Sequence, residues 1–127
     1  MNEPELNILK NKSILFVDDE PHTRRAVERM LSNRCRLVLL AENGQVGWEL
    51  LQAHRPDLVI TDIEMPIMNG LALLEKIKEQ NPTEPVVIMT AFEDEAHEAV
   101  QADAVLIKPV NRQLLFHTLV QVLGGPG

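Results

Sequence analysis

The sequence predicts a doubly wound α/β domain in which five βα units build one parallel, five-stranded sheet. Three observations carry this expectation. Short β-rich runs alternate with helical patterns along the core of the chain. Those runs are continuously apolar, as strands are when helices cover both faces of a parallel sheet. The length, 127 residues, suits one domain with a real core.

The first strand reads "SILFVD" over 13–18. Its helix, 21–33, opens on Pro21, a good first-turn residue, and spaces Ala26, Val27, Met30 and Leu31 along one face. "RLVLLA" (36–41) is the second strand, followed by a helical pattern over 44–55. "DLVIT" (57–61) precedes a turn through "EMPIMNG" and a helix over 70–81. "PVVIMT" (85–90) leads to the fourth helix, 93–101, whose opening acids Glu93, Asp94 and Glu95 suit the dipole at a helix N-terminus. "AVLIK" (104–108) is the fifth strand, and Leu114, Leu115, Thr118, Leu119 and Val122 recur at helical spacing over 111–123. Residues 1–12 are polar and read as a loose lead-in; 13–123 form the domain; "GGPG" (124–127) reads as a frayed tail or the start of a linker.

Composition narrows the function classes. Net charge is −7 and the pI near 5.0, which disfavours direct binding of nucleic acid or an anionic membrane through a basic surface. The single cysteine, Cys35, allows neither an internal disulfide nor a multi-cysteine metal site, and fits a reducing compartment. No apolar stretch approaches a membrane span of about 20 residues, and "MNEPELNILKNK" lacks a signal-peptide core. A soluble, cytoplasmic domain is the expectation.

In such sheets the functional site lies at the carboxyl ends of the strands. There the sequence places Asp18, Asp19 and Glu20, then Asp62, Thr90 and Lys108. Each has an ordinary reading when taken alone. An acid among 18–20 can cap the helix at Pro21, Asp62 can open a turn, Thr90 suits a strand end, and Lys108 can snorkel into solvent. Together they point elsewhere. Carboxylates converging at one rim repel one another unless a cation neutralises them, and a hard divalent ion such as Mg²⁺ is the natural partner. A lysine and a hydroxyl complete a site for a phosphoryl group, with one aspartate as nucleophile. A flavodoxin-type nucleotide site needs a Ser/Thr/Gly-rich loop where "DDEPH" stands, and no Walker loop occurs.

Over residues 13–123 the chain resembles the response-regulator receiver domains of two-component signalling, whose fold is flavodoxin-like (CheY-like). The resemblance rests on "ILFVDDEP", "PDLVITDIEMPIMNG", "PVVIMTA" and "LIKPV", in that order with nearly the usual spacing. It implies that Asp62 accepts a phosphoryl group from a histidine kinase or phosphotransfer protein. Asp18 and Asp19 would place Mg²⁺, with Asp62 and the backbone carbonyl of Glu64 contributing. Thr90 would be the switch hydroxyl, Lys108 the cation paired with the phosphoryl group, and Pro109 would follow a cis bond. Glu64 and Phe92 flank the path of the hydrolytic water and are equally well read as neutral spacers.

Two departures stand out. Thr90 and Lys108 are 18 positions apart, whereas the family has about four more, roughly one helical turn. The fourth helix should therefore be short or partly unwound. The family's switch aromatic, three residues before the lysine, is Val105 here, and the chain has no tyrosine. Either the face around the fifth strand signals differently, or Val105 simply packs against a compensated loop.

Other residues have plainer readings. His22, His54, His97 and His117 lack metal-ligand spacing, Trp48 and Phe116 fit packing, Met65 and Met68 fill the loop after Asp62, and Arg24 and Arg25 read as solvated. Two rival functions compete with this one: a degenerate receiver acting as an unphosphorylated interaction module, and a haloacid-dehalogenase-type phosphatase. The second needs a D-x-D motif where Asp62-Ile63-Glu64 stands. The kinase, a fused or separate output domain and a homodimer are left open.

Overall fold

The computed structural model describes residues 3–124. Five strands, β1 (Ser13–Val17), β2 (Leu37–Ala41), β3 (Leu58–Thr61), β4 (Val86–Thr90) and β5 (Ala104–Ile107), form one parallel sheet in the order β2-β1-β3-β4-β5. Six helices accompany them: α1 (Glu3–Leu6), α2 (Pro21–Leu31), α3 (Gly44–His54), α4 (Gly70–Gln80), α5 (Glu93–Ala96) and α6 (Arg112–Gly124).

Strand alternation divides the core in two. Ile14 and Phe16 of β1 join Val27, Leu31, Leu115 and Leu119 on the face covered by α2 and α6. Leu15 and Val17 face the other way, against Leu51, Leu73 and Ile77 of α3 and α4. All five residues of β1 are buried, which is why residues 14–17 read as an unbroken apolar run. After β2 the chain crosses back so that β3 pairs with the other side of β1. That reversal opens a crevice at the carboxyl ends of β1 and β3.

Side-chain caps fix where the helices start. Glu20 accepts from the His22 amide, with Pro21 in the first turn of α2. Asn43 caps α3 through the Val46 amide at 2.9 Å, and Asn69 caps α4 through the Ala72 amide at 2.8 Å. These caps set the distances from each strand end to its helix.

The lead-in is a correction. Residues 1–12 were expected to be loose, yet Glu3–Leu6 is helical, Asn7–Leu9 forms a 3-10 turn, and Leu9 is fully buried. Leu6 and Leu9 lie against the α2–α6 face of the core. Leu6, Ile8 and Leu9 crowd within four positions of a mostly polar stretch, too short a pattern to reveal this. Of the expected tail, Gly124 belongs to α6, and 125–127 lie outside the described residues.

The fourth βα unit is short, as its sequence spacing predicts. α5 spans four residues where a helix over 93–101 was read. Beyond it the chain continues in turns, with Glu98 N to Glu95 O at 3.0 Å and Ala102 N to Ala99 O at 3.1 Å.

In the loop after β3, Ile67 adopts φ 70° while 82% exposed. For an L-residue the left-handed region costs about 1–2 kcal/mol, and exposure supplies no compensating burial. Asparagine tolerates that region, so Ile67→Asn is expected to stabilise the fold by about 1 kcal/mol. Urea unfolding measures it; an unchanged or lower midpoint would show that the isoleucine is not strained.

Candidate functional site

The crevice gathers side chains from every strand except β2. Asp18 follows β1 and is fully buried; its Oδ1 accepts from the Glu20 amide at 2.9 Å, turning the chain toward α2. Asp19 is exposed at the rim of the crevice. Asp62 follows β3, is nearly buried, and its Oδ1 accepts from the Ile63 amide at 2.7 Å. Thr90 ends β4 with no exposed surface. Carboxylate oxygens of Asp18, Asp19 and Asp62 lie within 4.8 Å of one another.

Lys108 reaches into this group from the end of β5. Its Nζ donates to Asp18 Oδ2 at 2.8 Å and to Asp62 Oδ2 at 3.0 Å. Its backbone amide donates to Thr90 O at 2.8 Å, and the Lys108–Pro109 bond is cis. A solvated strand end is thus ruled out for this lysine. The acids and the ammonium hold one another against the cost of burial. Burial pushes the Asp62 carboxyl above its usual range, and the hydrogen bond and charge of Lys108 offset that only partly. Burial also works against the Lys108 charge, but the bonds to Asp18 and Asp62 outweigh it and leave the ammonium harder to deprotonate.

Other expected residues fall at the edge of this group. Glu64 is exposed and Phe92 is 57% exposed. The Phe92 amide donates to Thr90 Oγ1 at 3.3 Å. Val105 lies on the edge strand β5, paired with Ile88 and 36% exposed, and contributes no ring at that position.

Three contributors escaped the sequence reading. Arg24, read as solvated, donates from Nη1 to Asp18 O at 2.6 Å and so holds the backbone of the first acid. Gly70 presses on Asp62: a Cβ there would lie 1.9 Å from Asp62 O. Glu95, attributed to the dipole of a helix, turns inward instead. Its Oε1 lies 3.5 Å from Thr90 Oγ1, and a hydrogen bond with the Glu64 carboxyl, followed by burial and the charges of Glu64 and Asp62, pushes its pKa up to about 7. Only the shortened spacing after Thr90 hinted at this.

The donor set fits a hard divalent cation. Three carboxylates offer oxygens within 4.8 Å of one another, the all-oxygen donor set that such an ion takes. The result is an α/β domain whose switch-point crevice is an acidic pocket countered by one lysine and lined by one hydroxyl.

Comparison with known proteins places this class. The profile described as response regulator receiver domain matches residues 14–120, and the chain belongs to that family. The "Regulator of RpoS" of Escherichia coli K12 is 38% identical over 120 residues, covering 87% of this chain and 36% of the relative. The nitrate/nitrite response regulator protein NarL of the same organism is 32% identical over 119 residues, covering 89% of this chain and 55% of NarL. The chain therefore spans well under two thirds of these relatives. The response regulator protein TrrA of Thermotoga maritima, solved in complex with Mg²⁺-BeF, superposes with a TM-score of 0.82 at 29% identity, covering 87% of this chain and 98% of that one.

Proposed function

We propose that the domain is a phosphorylation switch in which Asp62 takes a phosphoryl group from a histidine kinase or phosphotransfer protein. The observation that carries this reading is the bridging of Asp18 and Asp62 by Lys108 beside a buried Thr90 hydroxyl. An Asp62 carboxylate oxygen attacks phosphorus, the phosphorus–nitrogen bond to the donor histidine breaks, and an acyl phosphate results. The charge arriving on the phosphoryl oxygens meets Lys108, and Thr90 donates a hydrogen bond to one of them. Asp18, Asp19, Asp62 and the Glu64 carbonyl would hold Mg²⁺, which would supply further neutralisation. The acyl phosphate reorders the loops after β3 and β4, which alters binding to an output domain, fused or separate, or to a second copy of the chain. Hydrolysis by an in-line water, with Glu64 and Phe92 flanking its path, resets the switch.

The reading concerns a signalling module acting in the cytoplasm; among the described residues no helix is long and apolar enough to cross a membrane. The rival interaction-only module has no use for a half-buried ammonium shared by two acids, and the completeness of the set weighs against it. Incubating the chain with acetyl phosphate and Mg²⁺ is expected to add one phosphoryl group by intact mass, and Asp62→Asn to abolish it. An unmodified wild-type chain would leave only the interaction module.

A further inference from the structure

The short α5 carries an acid that turns into the site instead of toward solvent. Thr90 Oγ1 accepts from the Phe92 amide at 3.3 Å and donates to Glu95 Oε1 at 3.5 Å. A chain of contacts thus runs from the Phe92 amide through the Thr90 hydroxyl to Glu95. The Thr90–Glu95 contact is long for O–H···O, where about 2.7–2.8 Å is usual, so it is easily exchanged.

The threonine hydroxyl has one proton. It cannot donate to Glu95 and to a phosphoryl oxygen together. A phosphoryl oxygen is the stronger acceptor, and bonds to such charged acceptors are about twice as strong as neutral ones. Glu95 also lies near enough to Asp62 to feel its charge, so added negative charge there repels it.

We propose that Glu95 is the positioning residue of this switch: it holds the Thr90 hydroxyl at rest, loses it to the phosphoryl group, and so passes the event to α5. The proposal rests on Asp62 as phosphoryl acceptor. It also assigns a route for the signal in a domain where Val105 leaves no ring to move. The shortened segment makes the contact feasible, because Glu95 sits only five positions past Thr90, in the single turn that remains of the helix. A dipole role would apply equally to Glu93 and Asp94 and gives no reason for a bond to Thr90.

The test uses the whole chain, with amide NMR spectra and hydrogen exchange, with and without Mg²⁺ and beryllofluoride. Glu95→Ala is expected to move the resting Phe92 amide signal and to speed exchange at 92–97 by about threefold, as for loss of one weak hydrogen bond. Glu95→Gln keeps an acceptor oxygen and should retain the wild-type Phe92 signal, while Glu93→Gln controls for helix charge. Beryllofluoride should shift Phe92 in the wild type toward its position in Glu95→Ala, and change α5 little further in that variant. An unmoved Phe92 signal in Glu95→Ala, with a wild-type response to beryllofluoride, overturns the proposal alone. A wild-type chain that neither responds nor takes a phosphoryl group from acetyl phosphate overturns the acceptor reading, and this proposal falls with it.

Discussion

Replacing Gly70 by alanine is expected to cost about 3 kcal/mol or more, at the upper end of what overpacking does in proteins. The added Cβ would stand 1.9 Å from Asp62 O, 2.8 Å from Asp62 C and 2.9 Å from the Ile63 Cα. All three are backbone atoms, so no flexible side chain can swing away. Nor can the start of α4 retreat freely, because the Gly70 amide donates to Ile63 O at 2.8 Å and Asn69 caps the helix. Relief must come from moving the peptide of Asp62, the proposed phosphoryl acceptor. The variant is therefore expected to lose phosphorylation by acetyl phosphate as well as stability, even under conditions where it is folded. Gly47→Ala is the control, since its Cβ would meet the Val17 side chain at 2.9 Å and no acceptor backbone. Urea unfolding of both variants measures the difference; a Gly70→Ala midpoint no lower than that of Gly47→Ala would show that the loop yields.

Lys108→Met is expected to cost about 3 kcal/mol at neutral pH, the low end for breaking a buried pair because the lysine is partly exposed. The loss is not one of packing, since methionine keeps most of the stem. It leaves Asp18, fully buried, and Asp62, nearly so, facing each other without a cation. The sign of the pH dependence follows. Asp62 is already raised in the presence of the lysine, and removing the lysine raises it further. Between the unfolded carboxyl value of about 4 and that raised value, the folded variant binds more protons than the unfolded chain, so its stability falls as pH rises through the window. Mg²⁺ should restore part of the deficit by supplying the missing charge. Urea unfolding at pH 5 and pH 7.5, with and without Mg²⁺, checks both; a deficit independent of pH and metal would assign the loss to packing.

Much of this site can be read from the strand ends, because a parallel sheet delivers the residue after each strand to one rim. Asp18, Asp62, Thr90 and Lys108 were legible for that reason, and Pro21 pointed to a cap among residues 18–20 without singling out Glu20. What stayed hidden depends on tertiary contact without periodic signature. Arg24 looks like any arginine on a helix until its reach to the Asp18 carbonyl is seen. Lys78 is buried at the far end of the sheet, where its Nζ meets Glu84 O at 2.7 Å and Asp103 Oδ2 at 2.8 Å. Nothing in "LEKIKEQ" distinguishes it from a lysine on a solvated helix face. Leu6 and Leu9 needed α6 to make sense of them. Glu95 was misread for a different reason: three acids in a row at a helix start have a sufficient local explanation, and only the short helix turns one of them inward.

The outer strands of the sheet limit how other chains can engage it. β2 and β5 are the two edges, five and four residues long, and β5 is closed by a proline that has no N–H to offer. An incoming strand would find few free backbone groups in register on either side. Recognition by sheet extension is thereby discouraged, as is the runaway edge-to-edge stacking that leads to fibres. Whatever docks on this domain must read side chains on helices and loops, the parts of the structure that can change when the rim does.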